Sequence, residues 1–163
     1  MVAGINRRCR LVLETLGRAV ERAQYIGCKR FVVAGDLFDT ARPTPQILSA
    51  TLDVFHPVLA AGYMEIVVLL GNHDQVSTAE GDNAVAVLRH AGVRVLERGA
   101  TTIDGICYVP FVPGDAREWL PAALKMPTGS FHSVITHVGL SDDRTPPFLV
   151  DAKDSLPVAQ ALA

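Results

Sequence analysis

Apolar positions along the chain change their period several times, and each change marks an element. Leu11, Leu13, Leu16, Ala19, Val20, Ala23 and Ile26 recur at helical spacing, which predicts an amphipathic helix over 7–26, stopped by Gly27. Phe31-Val32-Val33-Ala34 is a short continuous apolar run rich in β-branched residues, the pattern of a strand buried on both faces. A loop over 35–42 follows. Pro43 or Pro45 then opens a helix running to residue 61, with Pro57 as a point for a kink. Residues 65–70 read as a second buried strand and lead directly into the loop Gly71-Asn72-His73-Asp74.

Downstream, Asp82 or Asn83 is placed to cap a helix through His90, ended by Gly92. Residues 93–97 predict a short strand, and 101–109 a hairpin turned at Asp104-Gly105. Residues 116–125 form a weak helical pattern, 133–136 another buried strand, and 141–154, with paired prolines and several acids, a loop. Strand and helix alternate over the first hundred residues. That order predicts an α/β layered domain, sheets flanked by helices, with a largely parallel sheet in its first half.

Composition narrows the class. A chain of 163 residues is one domain's worth, 1–163, and long enough to bury a sizeable core. With 49% apolar and 20% charged residues, it is not a disordered chain. The longest apolar runs are far too short to span a bilayer, and no charged-then-apolar signal segment opens the chain. The expectation is a cytoplasmic protein with no membrane partner. Cys9, Cys28 and Cys107 are odd in number and widely spaced, which fits free thiols rather than a disulfide or zinc framework. The net charge of −2 announces no nucleic acid. Within residues 1–30, however, seven basic residues stand against Glu14 and Glu21, a local positive face suited either to phosphates or simply to solvent.

Three polar clusters stand directly after buried strands. Gly35-Asp36-Leu37-Phe38-Asp39 follows the first, Gly71-Asn72-His73-Asp74 the second, and His137 the strand over 133–136. The carboxyl ends of neighbouring parallel strands share one edge, where ligands bind, so Asp36, Asn72, His73 and His137 are expected to meet. The glycines permit tight turns that leave the following side chain facing the cleft. A carboxylate, an amide oxygen and an imidazole suit manganese, iron or zinc. One carboxylate can bridge two cations roughly 3.5–4 Å apart, as in two-metal phosphatases and nucleases. His73, beside Asn72, is then placed to protonate a leaving oxygen, with Asp74 orienting its imidazole.

Alone, Gly-Asn-His-Asp is equally an ordinary turn, because Asn and Asp bond their own backbone. Two such clusters after buried strands, with a histidine at a third strand end, weigh against that reading. His132 competes with His137, but precedes its strand where His137 follows it. His56 and His90 fall in helical stretches, Trp119 and Phe111 read as core residues, and Asp142, Asp143, Asp151 and Asp154 as solvated loop.

At Gly-Asp-Leu-Phe-Asp, Gly-Asn-His-Asp and Thr136-His137, the chain resembles the second, third and fourth motifs of the calcineurin-like metallophosphoesterases. Within that superfamily it is most similar to SbcD-type DNA repair nucleases. The resemblance implies a layered metallophosphoesterase fold and a nuclease hydrolysing DNA phosphodiesters with two divalent cations, manganese first among them. It makes Asp36 the bridging carboxylate, Asn72 and His137 ligands of the second metal, and His73 the catalytic histidine. Asp74 becomes its partner and Asp39 a supporting residue behind the ligands. It also implies DNA, a homodimer and an SbcC-like ATPase as partners. The family pattern opens on a strand ending Asp-x-His and closes on Gly-His-x-His, and neither occurs here. The domain is therefore expected to be incomplete at both ends, with a raw sheet edge and with Asp36 the only ligand of the first metal. A phosphatase or cyclic-nucleotide phosphodiesterase of the same superfamily, and an inactive remnant or partner-binding subunit, are the alternatives.

Overall fold

Asn6 starts the first helix by accepting the Cys9 backbone N–H at 2.9 Å, and helix α1 runs Arg7–Tyr25. This is a computed structural model, and it describes residues 5–75, 83–125, 130–141 and 155–157. Only Val20 of α1 is fully buried, with Leu16 and Ala23 packed beside it, so one narrow stripe docks and the rest faces water. Gly27 ends the helix at φ +77°, while Cys28 N–H returns to the Ala23 carbonyl. Helix α2 (Pro45–Ala61) is capped by Thr44, opens on Pro45 and closes on Gly62 at φ +72°. It continues through Pro57 without a break.

Three parallel strands form the first sheet in the order β1 (Arg30–Ala34), β2 (Glu65–Leu69), β3 (Arg94–Leu96). The second sheet has the order β4 (Thr101–Ile103), β5 (Ile106–Val109), β6 (Ser133–Thr136). Its β4 and β5 form the expected hairpin, with Asp104 at φ +50° and Gly105 at φ +74°, the backbone that a two-residue turn of matching twist requires. Helix α3 (Ala116–Leu124) follows β5, and β7 (Gly139–Ser141) pairs in parallel with β8 (Ser155–Pro157).

Period-two alternation sorts the strand residues into layers. Phe31, Val33, Ile66, Val68 and Val95 face α1 and α2 in the first core. Val32, Val67, Leu69 and Leu96 face the opposite way and meet Ile103, Ile106, Tyr108 and Ile135 of the second sheet. Cys107 and Val109 point outward again, onto Leu120 and Trp119 of α3. The layers therefore run helix, sheet, sheet, helix, the two sheets packed face to face. Tyr108 is fully buried between them, and its truncation to Ala would cost about 3–5 kcal/mol.

Three details differ from the pattern expected from sequence. β6 does not extend the parallel sheet of β1 and β2 but pairs with β5 in the facing sheet, and it is exposed to half-buried rather than buried. β1 is half-buried rather than buried, because among the described residues it pairs only with β2 and lies at the sheet's edge. The helix expected through His90 is a 3-10 helix, Ala86–Ala91. Its cap residue is Val85, not Asn83; Asn83 lies two residues earlier, bridged to Gln75, and accepts the Ala86 N–H at 2.9 Å from there. The acids Asp142, Asp143, Asp151 and Asp154, and Asp82, lie outside the described residues. Among the described residues no helix is long and apolar enough to cross a membrane.

Candidate functional site

The carboxyl ends of β1, β2 and β6 come together because the two sheets stack with these ends at one rim. Asp36 leaves β1 through Gly35 and takes φ +49°, a left-handed conformation that non-glycine residues rarely adopt and that clusters at functional sites. Asp36 Oδ1 accepts the His73 backbone N–H at 2.9 Å, and its Oδ2 lies 3.3 Å from His137 Nε2. His137 Nε2 lies 2.8 Å from Asn72 Oδ1, and its Nδ1 2.9 Å from the Ala34 carbonyl oxygen.

Two glycines make this approach possible. A Cβ on Gly35 would stand 2.2 Å from His137 Nδ1, and one on Gly71 2.1 Å from the Asp36 backbone nitrogen. Gly35 also needs its φ of +95°. The glycines thus serve contact between the loops as well as the turns themselves.

A carbonyl oxygen can only accept, so His137 Nδ1 carries the hydrogen and donates it to Ala34. The Nε2 lone pair then faces Asn72 Oδ1 and Asp36 Oδ2, three acceptor atoms with no hydrogen among them. With the Asn72 oxygen turned inward, a positive centre, a metal ion or an added proton, satisfies all three at once. Two ligands of one cation at roughly 2.0–2.2 Å lie about 3.0–3.5 Å apart, which matches the 3.3 Å pair and is slightly wider than the 2.8 Å pair. An imidazole whose far nitrogen is pinned to a backbone carbonyl is the usual form of a metal-ligating histidine. Asp36, Asn72 and His137 therefore fit a divalent cation. Among the described residues no group of three His, Cys, Asp or Glu side chains is gathered for a metal; the third donor here is an amide oxygen.

The other expected residues fall in different places. His73 is exposed at the lip of the site, and among the described residues its imidazole has no hydrogen-bonding partner. Asp74 does not orient it. Its Oδ1 accepts the Phe38 N–H at 3.1 Å and its Oδ2 the Gly71 N–H at 3.0 Å, so this fully buried carboxyl joins the two loops that carry Asp36 and Asn72. Burial pushes its pKa up, opposed by the backbone N–H groups of Gly71, Phe38 and Leu37. Asp39 is exposed and bonds to none of the site residues. His132 lies at the other end of β6, its ring against Gly105, and His56 and His90 are exposed on their helices. Trp119 is half-buried against α3's core, as expected. Phe111 is the residue that sequence reasoning misplaced: its ring stands perpendicular to that of His137, with centroids 6.3 Å apart. It too follows a buried strand, but it has no titratable group that would mark it in the sequence as a site residue.

No protein-family model matches the chain, and no curated protein matches it.

Proposed function

We propose that the chain is a metal-dependent phosphoesterase of the calcineurin-like kind, acting on DNA phosphodiesters as SbcD-type nucleases do. The observation that supports it is the convergence of Asp36 Oδ2, Asn72 Oδ1 and His137 Nε2 with the far side of the imidazole held by Ala34. These three residues would hold a divalent cation, manganese before iron or zinc. When bound, such a cation lowers the pKa of a water and draws charge from the phosphate oxygens. Ala34 fixes the ring so that Nε2 faces inward, and the His73 N–H fixes the carboxylate of Asp36. The exposed His73 imidazole is free to give a proton to the leaving oxygen. Exposed Arg7, Arg8 and Arg10 on α1 offer charge to further phosphates.

Asp36 Oδ1 is the atom that would reach a second cation, and it accepts from the His73 backbone. Among the described residues nothing further ligates on that side, so the second of the two cations rests on the resemblance alone. The same observation favours a second reading, a metal-binding subunit that does not turn over. Manganese titration of the purified chain, with hydrolysis of a generic phosphodiester followed in parallel, separates the two. About one or two cations per chain with turnover lost in His73→Ala supports the esterase. Binding without turnover supports the subunit, and no binding removes both.

A further inference from the structure

The second torsion of histidine is broad, so the His137 ring can rotate out of place unless its neighbours hold it. One hydrogen bond to Ala34 and the bare Gly35 restrain it from below. Phe111 is the aromatic ring set against it. Its backbone N–H donates to the Leu70 carbonyl at 2.9 Å, and Leu70 N–H donates in turn to Leu96, so Phe111 is fixed to the end of the first sheet. Gln75 Nε2 approaches the Phe111 carbonyl at 3.5 Å from the loop that carries Asn72. The half-buried phenyl ring then stands at 81° to the imidazole, the perpendicular arrangement in which an aromatic edge meets an aromatic face.

We propose that Phe111 is a positioning residue, which locks the His137 ring in the orientation that presents Nε2 to Asn72 and Asp36. The role of the lock in cation binding rests on the reading proposed above; the lock itself does not. Phe111 touches neither Asn72 nor Asp36 through any described contact, so it acts through His137.

The experiment uses protein labelled with 15N in its imidazoles, with the His137 signals assigned from His137→Ala. Without metal, the wild type should show His137 as a single tautomer protonated at Nδ1. Phe111→Leu should show mixed tautomers and Phe111→Tyr the wild-type pattern. In a manganese titration Phe111→Leu should bind about tenfold more weakly and Phe111→Tyr within about twofold of wild type. A single Nδ1–H tautomer retained in Phe111→Leu overturns the proposal, whatever the metal does. A wild type that binds no manganese sinks the proposed function but leaves the tautomer result to decide on Phe111. Far-UV circular dichroism checks folding. Should leucine unfold the chain, Phe111→Met, which keeps the bulk and removes the ring, is read by the same two outcomes.

Discussion

At the amino ends of the strands, Glu65 and Asp104 face Arg30 and Arg94. At the carboxyl ends, Asp36 meets the His73 backbone N–H and His137, and His137 meets Asn72. Arg30 donates to Glu65 at 2.7 Å and to Asp104 at 2.9 Å, reaches the Tyr108 hydroxyl at 3.4 Å, and lies over the Tyr108 ring. Arg94 takes the other Glu65 oxygen at 2.9 Å. Burial alone would lower the Arg30 pKa, but its bonds to Glu65, Asp104 and Tyr108 outweigh this and raise it. One rim therefore brings its own cations and ties the two sheets together with them. The other collects acceptors, holds them with glycine contacts and a left-handed Asp36, and leaves the positive charge to come from outside. Stability is built at the first rim, and under the proposed function the second is the reactive one, a division expected where a site must keep an unmet demand.

Substitutions should separate the rims, and Gly71→Ala should have the largest effect. Its Cβ would meet the Asp36 backbone nitrogen as well as its carboxylate, and the backbone cannot swing aside, so a loss of about 3 kcal/mol or more in denaturant unfolding is expected. Manganese binding should vanish with it. Asp36→Asn splits the two properties. The new amide can donate to its crowded neighbours, so the metal-free chain should gain about 1 kcal/mol while manganese affinity falls at least about 100-fold. A destabilised Asp36→Asn chain would show that the acceptors were not in conflict.

Much of this comparison could be read from the residues in order, and part could not. The strand runs, the Asp104-Gly105 turn and the glycine-led loops follow from period and turn chemistry, which act over a few residues. That β6 joins the facing sheet depends on pairing with β5, more than twenty residues away, and no local pattern encodes it. Asp74 stands beside His73 in sequence, while its partners in space include Phe38, 36 positions away. Arg30 and Glu65, 35 positions apart, read only as the polar starts of two strands.

Two smaller effects test the stabilising rim and the core beneath it. Glu65→Ala leaves Arg30 partly desolvated without its main partner. A loss of about 1–2 kcal/mol is expected, discounted because Glu65 is partly exposed, with manganese affinity unchanged. A parallel loss of metal binding would mean that the rims are coupled. The smallest effect concerns Cys107, whose thiol burial pushes above its ordinary value of 9.0. The folded chain then holds a proton that the unfolded chain releases, so this contribution is present below about pH 9 and is lost as pH rises through the folded value. Relative to Cys107→Ala, the wild type should lose stability on going from pH 8 to about pH 10, by less than about 1 kcal/mol.

The most direct measurement is the unfolding temperature of the wild type and of Asp36→Asn, each with and without millimolar manganese, because a ligand that binds only the folded state raises it. The expected result is a clear rise for the wild type and none for Asp36→Asn, with the metal-free variant melting at or above the metal-free wild type. No rise in the wild type, or an equal rise in both, would contradict the assignment of Asp36, Asn72 and His137 as a cation site.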